Sequence, residues 1–276
     1  MKNFNPDNPI YDEYYKRESI NIDEVFRDLE DDVINLLEKL KEKILHHEYG
    51  AVLGVDSSGR VPALLVGETI NKIYEHNQQS RIPEFFITGF SKTQNLENKY
   101  QELLNFLDKD EFKKQCKNNK RILVIDDTIA LGNSIKPVID AIKEKEYIFD
   151  IGLFSVDDAV HGLEYDQDKY KESIIKKIEE KVETPINYGS FGCISEIYGK
   201  RQMIGVHKDP ESLHAKPLRV PVQSLGQGMK IPDTEGVLRT PEPKSHKQNY
   251  DVLKYTRQKI HEVSDKLAKQ FIVDNL

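Results

Sequence analysis

The sequence predicts an α/β protein built on a parallel sheet flanked by helices. Four consecutive apolar residues, Ile122, Leu123, Val124 and Ile125, read as a strand buried on both faces, and such strands belong to parallel sheets. Short apolar segments alternate with helical patterns between residues 51 and 156, the order of a wound α/β sheet. The 276 residues, 38% hydrophobic and 32% charged, accommodate one substantial domain plus appendages with a highly charged surface.

Residues 1–20 carry Pro6, Pro9 and several tyrosines among mixed charges, and read as an extended arm. A helix is signalled from Asn21. Asn21 suits its cap, Asp23 and Glu24 suit its first turn, and Val25, Leu29, Val33, Leu36, Leu37, Leu40 and Ile44 keep helical spacing. His46 and His47 end it, where protonated histidine would suit the helix dipole. Residues 51–55 form a short strand. The loop Asp56, Ser57, Ser58, Gly59 and Arg60 leads into a second helix ending near Glu75. Residues 84–90 are a further strand, and residues 91–118 are polar and then helical through Leu103, Leu104, Leu107 and Phe112.

The strand of residues 122–125 ends in Asp126 and Asp127. After a short loop, Gly132, Asn133 and Ser134 open a helix marked by Ile135, Val138, Ile139 and Ile142. Residues 147–156 give another strand, followed by a polar segment and a charged helix ending near Glu183. Residues 187–205, aromatic and glycine-containing, read as short strands and turns. Prolines and glycines make residues 216–249 a non-helical linker, and a helix occupies residues 250–276. The expected division is an arm (1–20), a main domain including the hood (21–215), the linker (216–249) and the C-terminal helix (250–276).

The net charge of −7 argues against nucleic acid as partner. Two cysteines without paired spacing point to a reducing compartment and no zinc site. No apolar run reaches membrane-spanning length and residues 1–12 lack a signal-peptide core, so a cytoplasmic location is expected. Acids outnumber bases in residues 1–48, and bases outnumber acids in residues 216–276. Two separately solvated surfaces are the expected reading of that asymmetry, with pairing between front and tail the other.

Acids at a strand end can hold sugar hydroxyls or a metal, and backbone N–H groups at a helix start can hold a phosphate. A sugar phosphate needs both. Adjacent carboxylates repel, which favours binding a cation or hydroxyl donors over idle burial. Gly54 and Gly59 have the spacing of a nucleotide-binding P-loop, but Arg60 and Val61 replace its lysine and hydroxyl residue. Asp157 and Asp158 read as an ordinary solvated turn. His207 and His214 are further candidates for a substrate pocket.

An apolar strand, two acids, a short aliphatic stretch, a glycine and a hydroxyl residue resemble the PRPP-binding signature of type I phosphoribosyltransferases. The resemblance implies a Rossmann-like core with a small hood and a C-terminal extension. It implies that Asp126 and Asp127 grip the ribose hydroxyls of PRPP. Thr128, Ile129, Ala130, Leu131, Gly132, Asn133 and Ser134 would wrap the 5′-phosphate. Asp56, Ser57, Ser58, Gly59 and Arg60 stand where the family has its pyrophosphate loop. The family's mobile loop corresponds to residues 91–99, with Lys92 and Lys99 as pyrophosphate contacts. Tyr188, Phe191 and Tyr198 are candidates for stacking on an acceptor base. Magnesium would be held mainly through PRPP, with Asp126 and Asp127 as available protein ligands.

Two positions depart from the pattern. Leu131 stands where the family usually has a hydroxyl residue, and Ala130 stands where the 6-oxopurine branch has an acid. The implied activity is PRPP-dependent phosphoribosyl transfer to a nitrogen acceptor, with a nucleobase as the expected acceptor and release of pyrophosphate. The alternative is a non-catalytic PRPP or nucleotide sensor on the same fold. The implied partners are PRPP and a small-molecule acceptor, with neither nucleic acid nor membrane, and a homodimer is left open.

Overall fold

The computed structural model describes residues 22–55, 59–87, 90, 96–129, 132–157, 167–192, 219–220, 229–230 and 246–276. A five-stranded parallel sheet has the order β2-β1-β3-β4-β5. Its strands are β1 (Tyr49–Val55), β2 (Glu84–Ile87), β3 (Arg121–Ile129), β4 (Phe149–Asp157) and β5 (Ile186–Gly192). Seven helices are described: α1 (Ile22–Leu45), α2 (Arg60–His76), α3 (Leu96–Leu107), α4 (Asp110–Gln115), α5 (Lys136–Glu144), α6 (Gln167–Val182) and α7 (His246–Asn275). A separate ladder pairs β6 (Arg219–Val220) with β7 (Met229–Lys230).

Side chains of a strand alternate between faces, and the apolar run of β3 divides accordingly. Leu123 and Ile125 join a core with α1, α2 and α7, while Ile122 and Val124 join a second core with α3 to α6. Both faces of the central strand are therefore covered by helices, which is why it reads as continuous hydrophobic sequence.

Four expectations are corrected here. Of the strand expected over residues 84–90, pairing among the described residues runs from Glu84 to Ile87. The aromatic segment expected as hood begins as β5, which pairs in parallel with β4 and completes the main sheet. The C-terminal helix starts at His246 and belongs to the core. Ile260, Val263, Leu267, Ala268 and Phe271 are buried with residues of α1 and α2. Lys72 pairs with Asp265 at 2.6 Å, Lys266 pairs with Glu30, and Asn275 donates to Glu38 at 3.0 Å. Front and tail thus meet within the chain, in place of the separately solvated surfaces expected.

The starts of β1, β3 and β4 are joined by a polar cluster. Asp150 accepts from Arg121 Nε at 2.6 Å, Lys43 Nζ at 2.7 Å and Tyr49 Oη at 3.2 Å. Burial alone would raise the Asp150 carboxyl, but the Arg121 and Lys43 hydrogen bonds overturn that and hold it below the usual range. At the sheet edge, buried Asn71 donates to the Ile82 carbonyl and to Glu84, both at 3.0 Å, and accepts from the Ile82 amide at 2.7 Å. The segment entering β2 is fixed by that side chain.

Candidate functional site

The strand order reverses between β1 and β3. Chain leaving β1 passes through α2 to β2 on one side, and the return connection carries β3 to the other side. Connections diverge there and leave a crevice beyond the carboxyl ends of β1 and β3, the usual ligand position in open α/β sheets. The loops after these two strands are the ones the sequence singles out.

Gly59 brings them together. A Cβ on Gly59 would lie 2.2 Å from the Val55 carbonyl oxygen, 3.1 Å from Asp126 Oδ1 and 3.2 Å from Asp126 Cα. Its φ of −71° is open to any residue, so space rather than conformation requires glycine. The Gly59 carbonyl also accepts from the Ala63 amide at 2.9 Å, fixing the start of α2. Residues 56–58 and the Arg60 side chain lie outside the described residues, so Asp56, Ser57 and Ser58 have no assigned position here.

Asp126 is only 3% exposed, and its Oδ1 accepts from the Asp127 amide at 2.9 Å. Asp127 is half-buried beside it. The backbone of Thr128 and Ile129 stays in the sheet, opposite Ser155 and Val156, and Ile129 is buried. Ala130 and Leu131 lie outside the described residues. Beyond them Gly132 has φ of +70°, where a side chain would be strained. Its carbonyl accepts from the Lys136 amide at 3.0 Å.

The helix expected to open at Gly132 begins instead at Lys136, with Pro137 in its first turn. Proline suits that position because its missing N–H would find no partner within the helix. Residues 132–135 form the turn before it. Two braces hold this turn: Lys181 of α6 donates to Asn133 Oδ1, and the Phe90 amide donates to the Ser134 carbonyl at 3.3 Å. Neither brace is visible in sequence, since each joins residues more than forty positions apart.

The remaining candidates are distributed differently. Lys92 and Tyr198 lie outside the described residues, as do His207 and His214. Lys99, expected on a loop, sits inside α3 and is 2% exposed. Tyr188 and Phe191 lie on β5 and pack on the second core. Leu153 is the register partner of both Asp126 and Tyr188, so two strand spacings, about 10 Å, separate their backbones. Lys39 Nζ lies 3.6 Å from the centre of the Tyr188 ring, so a cation already occupies one face of that ring. His47 has a pKa lowered chiefly by burial, so its ring is less readily charged at the end of α1 than an exposed histidine would be.

No protein-family model matches the chain, and no curated protein matches it. Several solved structures are similar to part of it. Adenine phosphoribosyltransferase from Saccharomyces cerevisiae, complexed with an imino-altritol bisphosphate and adenine, is 13% identical with a TM-score of 0.33. That match covers 55% of this chain and 73% of the other. A purine phosphoribosyltransferase from Pyrococcus horikoshii is 16% identical with a TM-score of 0.28, covering 46% and 75% respectively. Adenine phosphoribosyltransferase from Rhodothermus marinus is 14% identical with a TM-score of 0.32, covering 58% and 76%. Overlaps this partial carry no weight for activity or substrate. The five-stranded parallel sheet flanked by helices is the α/β class that the sequence predicts, and Asp126 and Asp127 lie near the carboxyl end of its central strand.

Proposed function

We propose that the chain binds PRPP in the crevice between β1 and β3 and transfers its phosphoribosyl group to a nitrogen acceptor. One observation carries the reading: Gly59 packs against Asp126, so the loop after β1 and the acid pair near the carboxyl end of β3 adjoin each other. In that crevice Asp126 and Asp127 accept hydrogen bonds from the ribose hydroxyls. The turn at residues 132–135, with the start of α5 behind it, offers backbone N–H groups to the 5′-phosphate. The loop of residues 56–60 holds the diphosphate, with Arg60 as its charged donor.

The bond from C1 to pyrophosphate oxygen breaks and pyrophosphate keeps the electron pair. The acceptor nitrogen forms the new bond to C1, and its proton passes to solvent or to the released pyrophosphate. Fixed carboxylates and N–H donors lower the barrier by holding C1 in line between leaving group and acceptor. Magnesium, when bound, would neutralise charge on the departing diphosphate. Among the described residues, no group of three or more histidines, cysteines or carboxylates gathers to hold a metal. Asp126 and Asp127 would be its available protein ligands, with the diphosphate its main one.

Ala130 counts against a 6-oxopurine acceptor, and Leu131 favours a second reading, a PRPP sensor without turnover. Incubation with PRPP, magnesium and a panel of bases, followed by pyrophosphate release, separates the two. Release with one base establishes the transferase. PRPP binding without release across the panel establishes the sensor, and failure to bind PRPP overturns both.

A further inference from the structure

The turn at residues 132–135 is backed by the last turn of α6. A Cβ on Gly132 would lie 3.4 Å from Val182 Cγ1 and 3.7 Å from Lys181 Cδ, so buried Val182 and the stem of Lys181 both lie against the turn. Lys143 of α5 donates to the Val182 carbonyl at 3.0 Å and to the Glu183 carbonyl at 3.2 Å. The end of α6 is thereby tied to the helix that follows the turn. From this fixed stem the Lys181 ammonium donates to Asn133 Oδ1.

That contact decides which way the Asn133 carboxamide faces. An ammonium has donors and no acceptor, so the oxygen of the amide must meet it. The amide nitrogen then points away from the ammonium and keeps two N–H donors for another partner. Asn133 is exposed, and among the described residues its amide makes no second hydrogen bond. Lys181 is exposed too, and among the described residues no carboxylate pairs with it. Lys136, the other lysine at the turn, is matched by Asp140 at 2.8 Å. The Asn133 amide is therefore held beside an uncompensated positive charge, which polarises its N–H groups toward an anion.

We propose that the Asn133 side chain is a donor to the 5′-phosphate, oriented by Lys181, and that it stands in for the hydroxyl absent at Leu131 two residues earlier. The inference rests on the PRPP reading above. An alanine at position 133 would leave that point of the turn with its backbone donor alone. Asn133 is thus the binding residue and Lys181 the positioning residue. The ammonium adds a longer-range attraction for the phosphate dianion, which salt screens.

Titration calorimetry on the full chain compares PRPP, which carries the 5′-phosphate, with magnesium pyrophosphate, which does not. Both residues are exposed, so substitution should leave the thermal melt unchanged. Asn133→Ala should weaken PRPP binding roughly tenfold or more, as for a lost hydrogen bond to a charged group, and leave pyrophosphate within about twofold. Lys181→Met should weaken PRPP by a smaller factor that shrinks as salt is raised. Asn133→Asp separates binding from bracing. It keeps an acceptor for Lys181, but it brings no donor to the phosphate and adds a like charge, so it should lose at least as much PRPP affinity as Asn133→Ala. Affinity kept in Asn133→Asp but lost in the other two variants reduces the contact to a brace and overturns the assignment. Unchanged PRPP affinity in Asn133→Ala, or a loss shared equally by pyrophosphate, overturns it as well, and each of these results leaves PRPP binding by the wild type intact. Wild-type protein that binds neither PRPP nor pyrophosphate overturns the PRPP reading, and this inference with it.

Discussion

Asp127→Asn keeps the size of a half-buried side chain and removes the charge that would receive a ribose hydroxyl. Hydrogen bonds to a charged group contribute about 1.5–3 kcal/mol, so PRPP affinity should fall roughly ten- to a hundredfold. Calorimetric titration checks the affinity and a thermal melt confirms that the fold is unchanged. Equal affinity in the variant refutes the ribose role. Glu84 offers a prediction of another kind. Burial, reinforced by the Glu68 charge, pushes its carboxyl up to about 7. The native state then holds a proton that the unfolded chain has released between about pH 4.5 and pH 7, so stability falls as pH rises through that window. Glu84→Gln keeps an acceptor for Asn71 and removes the ionisation. It should gain about 2–3 kcal/mol over wild type at pH 8 and little at pH 4.5, by urea denaturation at both values.

Helix ends show what the sequence conceals. At the end of α1 the His47 amide bonds to the Ile44 carbonyl and the Glu48 amide to the Lys43 carbonyl, a Schellman closure with His47 at φ +53°. The ends of α2 and α5 repeat it with Gln78 and Glu146 at positive φ. Glycine normally marks this position, and none of the three ends carries it. Gln78→Gly relieves the left-handed strain and should stabilise the protein by about 1 kcal/mol in a denaturant titration. Apolar periodicity made α1, α2, β1 and β3 legible. The start of α5 was masked because Gly132 resembles a helix opening, although Pro137 carried the better signal. β5 lies at the sheet edge, and its glycines and polar residues give no apolar run. Lys99 was misplaced because a lysine in core is rare and its sequence neighbourhood is polar. The acid pair and Gly59 are legible because adjacent carboxylates closing an apolar run and a glycine in a tight loop leave local signatures, whereas the Lys181 and Phe90 braces are tertiary.

The whole molecule depends on its last helix. Ile260, Val263, Leu267 and Phe271 are buried against α1 and α2, and full burial of four such side chains contributes roughly 6–12 kcal/mol. That range is comparable with the entire stability of an ordinary domain. A chain ending at residue 245 should therefore lose its cooperative thermal transition in circular dichroism, and an unchanged transition would refute the dependence. Sequence alone made this helix an appendage because a proline- and glycine-rich stretch precedes it, and linker composition does not reveal where the chain resumes packing. Synthesis gives the arrangement a temporal side. The apolar face of α2 is complete at His76, but its cover is not finished until Phe271, nearly two hundred residues later. At ordinary translation speeds that interval is roughly 10–40 seconds. For that period α1 alone shields this side of the nascent sheet, and the part of α2 that α7 covers stays open to solvent.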